Sequence, residues 1–193
     1  MPRTLAPAAR PGQRVAWTAV PVDGGVALLA ATERGLCAVR LGADMAPLLE
    51  GLRADVAPAE LVRDDGRLAR AAAVVADLAA GRATLEAGSL PLDLPASSFR
   101  RRVWDALRRI PAGQTRTYAA LAVEIGAPGA ARAVGAACAA NPLALVVPCH
   151  RAVGSDGRLH GYRWGLEWKR RLLAAEAAEA ADRYASPSPA AVW

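Results

Sequence analysis

LALVVPCHR, residues 143–151, joins a run of five apolar residues to a proline, a cysteine and a histidine. A short continuous apolar run is typical of a buried strand. Adjacent side chains on a strand point to opposite faces, so Cys149 and His150 can share a site only where the chain turns. Pro148 favours such a break. The stretch therefore predicts a buried strand that ends in a rigid turn and holds Cys149 in a fixed position.

A cysteine beside a histidine at such a turn indicates nucleophilic chemistry. A free thiol has a pKa of about 8.5, and the thiolate is the reactive form. The imidazole of His150 can take the thiol proton directly or through a water, and a carboxylate can orient that imidazole. The nearest downstream carboxylate on a predicted helix is Glu176. The alternative is that Cys149 is a small buried hydrophobe next to a polar residue.

Upstream of this stretch, two short helices form a helix-turn-helix candidate. Thr117 can cap the first helix, YAALAVEI, and GAPG at 126–129 makes the turn. On a helical wheel of the second helix, residues 130–140, Arg132 lies nearly opposite the inward face, among alanine and glycine. Such a smooth face can press its backbone into the minor groove of DNA. The alternative is an ordinary alanine-rich helix.

The first half of the chain predicts a small antiparallel sheet with helices. Three short apolar runs between residues 15 and 41 are separated by the turn signals DGG and ERG, as in a meander. Helices are expected near 45–54 and 65–80. This half has no visible catalytic constellation, so a scaffold role is expected. Together with a mainly helical second half, the pattern predicts an α+β fold.

Composition divides the chain into four parts. We expect disordered ends at 1–14 and 182–193, an N-terminal scaffold domain at 15–90 and a C-terminal domain at 95–181. The segment 88–96 reads as an extended linker between the domains.

Positive charge is concentrated in the second half. The net charge is +6, but residues 1–94 hold 10 basic and 11 acidic residues, whereas residues 95–180 hold 13 basic and 6 acidic residues. This asymmetry is typical of a domain that binds a polyanion. The alternative is an arginine-rich solvated surface in a chain whose only lysine is Lys169.

Cysteine usage and hydropathy argue against several classes of protein. Three cysteines without a CxxC pair do not suggest a disulfide framework, and with only two histidines they do not suggest a zinc site. We therefore expect no metal and no cofactor. No apolar run is long enough for a membrane span and no signal-peptide core is present, so the expected compartment is the cytoplasm.

Several short motifs together carry a family resemblance. They are TYAALA (117–122), ARAVG (131–135), NP (141–142), VPCHR (147–151), GY (161–162) and K..LL..E (169–176). In this combination the stretch from about 95 to 180 resembles the methylated-DNA–protein-cysteine methyltransferases, also called O6-alkylguanine-DNA alkyltransferases. ATERG and GYRWG are most similar to the alkyltransferase domains of bacterial adaptive-response proteins. We expect this chain to have no room for the additional domains of those proteins. The rest of the N-terminal half matches in general layout only.

The resemblance implies a function, a fold and a partner. It implies direct repair of double-stranded DNA, in which a methyl group moves irreversibly from O6-methylguanine to the protein's own cysteine in a single turnover. O4-methylthymine stays open as a second substrate. The implied fold has a ribonuclease H-like N-terminal domain and a C-terminal domain with a helix-turn-helix. The implied state is a monomer without an obligate protein partner.

The resemblance also assigns catalytic roles. Cys149 is the alkyl acceptor, His150 acts as a base through a water, Glu176 orients His150 and Asn141 braces the turn.

Other residues are expected to contact DNA or the extruded base. The resemblance implies that Tyr118 presses on the phosphate beside the lesion, that Arg132 fills the vacated stack and that Tyr162 donates to the purine. Flipping is required because the methylated oxygen is inaccessible inside a duplex. The remaining expected contacts are Ala131, Ala133, Gly135, Pro148, Arg151 and Arg163. If Arg163 and Trp164 both line the pocket mouth, bulky alkyl groups should fit poorly; alternatively, Trp164 packs outward against the helix at 166–176.

Two other functions remain open from the sequence. A non-catalytic protein that binds alkyl lesions would not need an acceptor cysteine, which Cys149 argues against. A Cys–His hydrolase would need an oxyanion hole and would not need the basic helix pair.

Overall fold

A computed structural model describes residues 12–82, 90–94 and 97–185. The predicted disordered ends lie mostly outside these residues, as do 88–89 and 95–96 of the predicted linker. The first strand begins at Arg14 and the last helix runs to Ala185, so regular structure extends past both predicted boundaries.

The first half of the chain forms a four-stranded mixed sheet with two helices. Strands β1, β2 and β3 form the predicted antiparallel meander, and helices α1 and α2 lie where helices were expected. The prediction of a purely antiparallel sheet is wrong, because a fourth strand, β4, pairs parallel with β1. The helix α1 returns the chain between them, as a parallel connection requires. The bounds are β1 Arg14–Val22, β2 Gly25–Thr32, β3 Gly35–Gly42, α1 Met45–Val56, β4 Glu60–Arg63 and α2 Asp65–Ala79.

The second half is mainly helical. Its elements are α3 Ser98–Arg108, β5 Arg116–Thr117, α4 Tyr118–Glu124, α5 Ala131–Ala139, β6 Ala152–Val153 and α6 Leu166–Ala185. The predicted Thr117 cap is confirmed, since its hydroxyl accepts a hydrogen bond from the backbone of α4, and the Ser97 hydroxyl caps α3 in the same way. β5 and β6 form a short parallel pair. None of the helices within the described residues is long and apolar enough to cross a membrane.

The predicted buried strand at 143–147 is wrong in conformation, although all five residues are buried. Only Leu143 makes a strand-like bridge, to Val39, and the chain then turns with Leu145 at a φ of 68°. An apolar run indicates that a segment is buried. It does not distinguish a buried strand from a buried loop whose backbone N–H and C=O groups are hydrogen-bonded elsewhere. Here Val39 supplies them, donating to Pro142 O at 2.9 Å and accepting from Ala144 N at 3.0 Å.

Strand β3 links the two halves. Its backbone at Leu36 pairs with residues 91–93, and further along Val39 pairs with residues 142–144. One hydrophobic cluster therefore runs from the sheet into the C-terminal helices, while a second lies under α1. Because β3 hydrogen-bonds the segment just before Cys149, the sheet fixes the backbone of the candidate site.

Candidate active site

Cys149 begins a 3₁₀ turn, Cys149–Arg151, and is 3% exposed. Asn141 is fully buried, and its Nδ2 donates to Cys149 Sγ at 3.2 Å and to Val147 O at 2.8 Å. Its Oδ1 accepts from Leu143 N at 2.9 Å. One amide thus holds the loop and the thiol together, which is the bracing position expected for Asn141.

His150 and Glu176 form the predicted pair. His150 Nε2 lies 2.8 Å from Glu176 Oε1, and both side chains are buried. Burial opposes ionisation of Glu176, but hydrogen bonds from His150 and Arg151 lower its pKa to about 2. The ionised carboxylate accepts a hydrogen bond from Nε2–H, which leaves Nδ1 of a neutral imidazole as an acceptor. This Nδ1 is buried and has no hydrogen-bond partner among the described residues.

Burial keeps His150 neutral. It lowers the pKa of His150, and the neighbouring Glu176 carboxylate only partly opposes this effect. A neutral imidazole can act as a base.

Arg151 and Pro148 do not lie where the expected DNA contacts would require. Arg151 is buried, with its guanidinium on Glu176 at 2.7–3.0 Å and on the Ile110 carbonyl. Pro148 is also buried, and both residues border a separate cavity of about 250 Å³ beside Leu78. Their expected DNA-binding role is therefore corrected to an internal one, since arginine here satisfies a buried carboxylate.

Lys169 belongs to the site and had no predicted role. It is fully buried, and its Nζ donates to Ala152 O at 2.6 Å and to His160 O at 3.4 Å. Burial raises the pKa of Cys149 to about 11, while the Asn141 hydrogen bond and the Lys169 charge oppose this rise. The sequence did contain a signal for Lys169, because it is the only lysine of an arginine-rich chain and lies inside the K..LL..E motif. In the part of the chain that the structure describes, no three His, Cys, Asp or Glu residues are grouped to hold a metal.

A cavity of about 480 Å³ opens beside this cluster. Its volume is in the range of small-molecule sites. The Tyr162 hydroxyl is buried without a hydrogen-bond partner in the described residues, and the Tyr162 ring meets His150 edge-on at 6.5 Å. Burial raises the pKa of Tyr118 and of Tyr162; the charge of an ionised thiol adds to this rise, from Cys138 and then Cys149 at Tyr118 and from Cys149 at Tyr162. The lining residues are Tyr118, Gly135, Ala139, His160, Gly161, Tyr162 and Arg163.

The outer face of α5 has the predicted character. Arg132 and Ala133 are exposed and Ala131 is half-buried, whereas Val134 packs inward. A β-carbon added at Gly135 would meet nothing within 4 Å, so this face is open to an approaching ligand.

The two bulky residues after Tyr162 differ in position. Arg163 lines the cavity, and its Nη1 donates to Ala139 O at 3.4 Å. Trp164 packs edge-on against the Tyr162 ring at 5.1 Å and is not part of the cavity lining. The expectation that both line the pocket mouth is therefore wrong for Trp164.

These features define a protein with a buried cysteine, hydrogen-bonded by an amide and followed by a His–Glu pair, beside an open helix face that carries Arg132. The model of the 6-O-methylguanine DNA methyltransferase DNA-binding domain matches residues 98–178. The Escherichia coli K12 bifunctional transcriptional activator/DNA repair enzyme Ada is 46% identical over 158 residues, which cover 79% of this chain and 43% of Ada. The methylated-DNA–protein-cysteine methyltransferase of Methanosarcina barkeri is 40% identical, with 79% of this chain and 90% of that protein covered.

A solved structure matches as well. The crystal structure of Mycobacterium tuberculosis OGT in complex with DNA is 35% identical, with a TM-score of 0.71 and coverage of 86% of this chain and 94% of that one. The chain belongs to the methylated-DNA–protein-cysteine methyltransferase family. It spans about half the length of several curated relatives that it matches, Ada among them.

Proposed function

We propose that this protein repairs duplex DNA by moving an alkyl group from O6 of guanine to Cys149 Sγ, once per chain. The observation that carries the proposal is the buried Cys149, hydrogen-bonded by Asn141 and lying beside the His150–Glu176 pair and the cavity. In the reaction a carbon–sulfur bond forms as the carbon–oxygen bond at O6 breaks, and unmodified guanine leaves. The methyl group of O6-methylguanine is the simplest alkyl group for this reaction, and methylated thymine is a further candidate substrate.

The thiol proton passes to His150 through a water. Nδ1 is the free acceptor on the imidazole, and no hydrogen bond joins it to Sγ in the described part of the chain. A bridging water relays the proton from Sγ to Nδ1, and Glu176 stabilises the imidazolium that results. The amide of Asn141 and the charge of Lys169 stabilise the thiolate as it forms.

The helix pair α4–α5 brings the lesion to the cavity. We infer that it acts as a helix-turn-helix in the minor groove, where the small residues Ala131, Ala133 and Gly135 allow close approach. Arg132 then enters the stack in place of the flipped nucleotide, and Tyr118 presses on the adjacent phosphate. In the cavity, the Tyr162 hydroxyl donates to the purine ring. The M. tuberculosis relative was solved in complex with DNA, which supports DNA as the partner.

The N-terminal part, residues 15–90, serves as a scaffold in this proposal, with 95–181 as the DNA-binding part. The pairing of Val39 with the loop before Cys149 supports this role.

Transfer is expected to stop after one turnover. A thioether has no good leaving group, and burial holds the pKa of the neighbouring Cys138 well above its ordinary value. The test incubates the protein with O6-methylguanine duplex, with unmodified duplex as control, and weighs the intact protein. A gain of one methyl per chain that stops at equivalence supports the proposal. Binding without mass gain indicates a lesion-binding protein, and product beyond equivalence indicates a hydrolase; either contradicts it.

A further inference from the structure

Asp156 and His160 form a pair on the loop that leads to Tyr162, and no step above uses this pair. His160 Nε2 lies 3.3 Å from Asp156 Oδ1, and the same oxygen accepts a hydrogen bond from Arg158 N at 3.0 Å. A β-carbon at Gly154 would overlap the imidazole and the Asp156 carboxylate, so glycine lets both lie directly against the backbone. The two side chains are 56% and 47% exposed. Exposed pairs contribute little to stability, so stability alone is a weak reason for this one.

Lys169 fixes the backbone of His160 next to the candidate active site. The buried Lys169 Nζ donates to His160 O at 3.4 Å and to Ala152 O at 2.6 Å. Ala152 directly follows the turn Cys149–Arg151. His160 is therefore held at two points, at its carbonyl by Lys169 and at its ring by Asp156.

His160 also lines the cavity beside the candidate active site. Because Cys149 is only 3% exposed, an alkylated base has to enter this cavity to approach the sulfur. Helix α5 contributes Gly135 and Ala139 to the lining, and these have no side chain beyond a β-carbon. The free space is therefore limited by the larger side chains of the lining, which are Tyr118, His160, Tyr162 and Arg163.

We propose that His160, held by Asp156, is a specificity-determining residue that limits the size of the alkyl group that the cavity accepts. This inference rests on the proposed function, because it concerns the same cavity. A methyl group needs little space beyond O6, whereas a benzyl group adds a planar ring that has to fit between the base and the cavity wall. A side chain that is held in place loses its contacts if it moves aside, so the larger group meets a steric cost. Asp156 acts through His160 and is a positioning residue.

The test measures single-turnover transfer from duplexes that carry O6-methylguanine or O6-benzylguanine, using the full chain. Asp156→Ala releases the imidazole and should raise the benzyl-to-methyl rate ratio about threefold or more, which is within the range of couplings between contacting residues. His160→Ala removes the ring and should raise the ratio at least as far. Adding Asp156→Ala to His160→Ala should change nothing more.

Two further variants separate the size of the side chain from other effects. His160→Gln keeps a long side chain whose amide can donate to Asp156, so its ratio should stay near that of the wild type. The matched control is Arg158→Ala on the same loop, because Arg158 Nε lies 3.8 Å from Asp156 Oδ2 and its removal leaves the His160 contact in place. This control should leave the ratio unchanged.

Four results would overturn the proposal. They are a wild-type ratio in His160→Ala, an Asp156→Ala effect that persists in the His160→Ala background, a rise in His160→Gln equal to that in His160→Ala, and an equal rise in Arg158→Ala. An equal loss of both rates in His160→Ala is also a wild-type ratio, and it would indicate a contact with DNA in place of one with the alkyl group.

If circular dichroism shows that Asp156→Ala does not fold, the comparison of His160→Ala with His160→Gln decides, and equal ratios overturn the proposal. Failure of the proposed function has a different signature. The wild type then transfers neither group, whereas failure of the specificity role alone leaves methyl transfer intact and the ratio unchanged.

Discussion

The strand around Cys37 and the turn around Cys149 both bury a thiol, but they surround it differently. Cys37 lies on β3, fully buried, and donates to Ala30 O at 3.4 Å. Burial, and then the nearby charge of Asp93, raise its pKa to about 12. Cys149 is almost as buried, yet it accepts a hydrogen bond from Asn141 instead of donating one.

The difference lies in the groups that face each sulfur. A carbonyl and a carboxylate near Cys37 disfavour a thiolate, whereas an amide donor and the ammonium of Lys169 near Cys149 favour one. Burial by itself makes a thiol inert. The direction of the hydrogen bond and the sign of the neighbouring charge make Cys149 the easier of the two thiols to ionise, although burial still raises its pKa to about 11.

The largest effect on methyl transfer should come from replacing each cysteine with serine. Cys149→Ser should abolish methyl transfer and keep binding to O6-methylguanine duplex, because only this sulfur has an amide donor and a basic histidine nearby. Cys37→Ser should retain transfer. Intact mass and gel-shift binding measure the two properties. Residual methyl transfer in Cys149→Ser would contradict the conclusion that Cys149, and not Cys37, is the acceptor.

Glu176→Gln should cost about 3 kcal/mol of folding stability at pH 7. The pKa of Glu176 is about 2 in the folded protein, against a reference value of 4.5. Because the folded value is the lower one, this contribution is complete above about pH 4.5 and is lost as pH falls toward 2. Urea unfolding at a series of pH values should show wild type and variant converging in acid.

The control for that experiment is Glu167→Gln, in an exposed pair with Arg171. Exposed pairs contribute about 0–1 kcal/mol, so this change should matter little. Equal losses for both variants at pH 7 would contradict the role given to the Glu176 cluster.

Arg132→Ala tests delivery of the lesion, separately from the reactivity of Cys149. Flipping costs a few kcal/mol, so loss of the wedge should slow repair of duplex DNA by about tenfold or more. Transfer from free O6-methylguanine base, which needs no flipping, should change much less. The measurement compares single-turnover rates on both substrates. Equal losses would assign Arg132 another role.

Much of this arrangement could be predicted from the sequence where local patterns decide the structure. Turn signals fix the β1–β3 meander, and hydroxyl caps fix the starts of α3 and α4. The strand-turn pattern indicated Cys149, His150 and Glu176, the resemblance added Asn141, and the structure brings these four together. The ribonuclease H-like and two-domain descriptions stay predictions.

Features set by tertiary contacts could not be predicted in this way. The 143–147 segment is a buried loop whose backbone is satisfied by the nearby Asn141 side chain and by Val39, which is about a hundred residues away in sequence. The resemblance implied that Arg151 contacts DNA or the extruded base, but its guanidinium pairs with Glu176, a carboxylate that is distant in sequence. Lys169 had no assigned role because its neighbours, Ala152 O and the thiols, are brought to it only by folding.

Lys169→Met should slow transfer at pH 7 by about tenfold, which corresponds to a rise of one unit in the pKa of Cys149. The positive charge favours the thiolate, so its removal should move the pH dependence of transfer to higher pH. Lys169→Arg keeps the charge and is the matched variant. Because the pKa of Cys149, about 11, lies above the working pH range, single-turnover rates of the two variants separate the explanations: arginine restores the rate if the charge is what matters, whereas equal losses in both variants indicate a purely structural effect.

Trp164→Ala should have the smallest effect on transfer. It tests whether a residue that packs behind the cavity wall influences the cavity beside Cys149. Trp164 touches the Tyr162 ring but does not line the cavity, whereas Arg163 does. Removing the indole takes an edge-on contact from Tyr162, and such aromatic pairs contribute about 0.5–1.5 kcal/mol. It opens no wall of the pocket, so the benzyl-to-methyl rate ratio should change less than about threefold. Arg163→Ala, one residue away, provides the comparison, since it should raise the ratio further. Rates from duplexes carrying each lesion give the measurement. If Trp164→Ala raises the benzyl-to-methyl rate ratio as much as Arg163→Ala does, the prediction is contradicted. The indole of Trp164 would then form part of the cavity wall beside Tyr162.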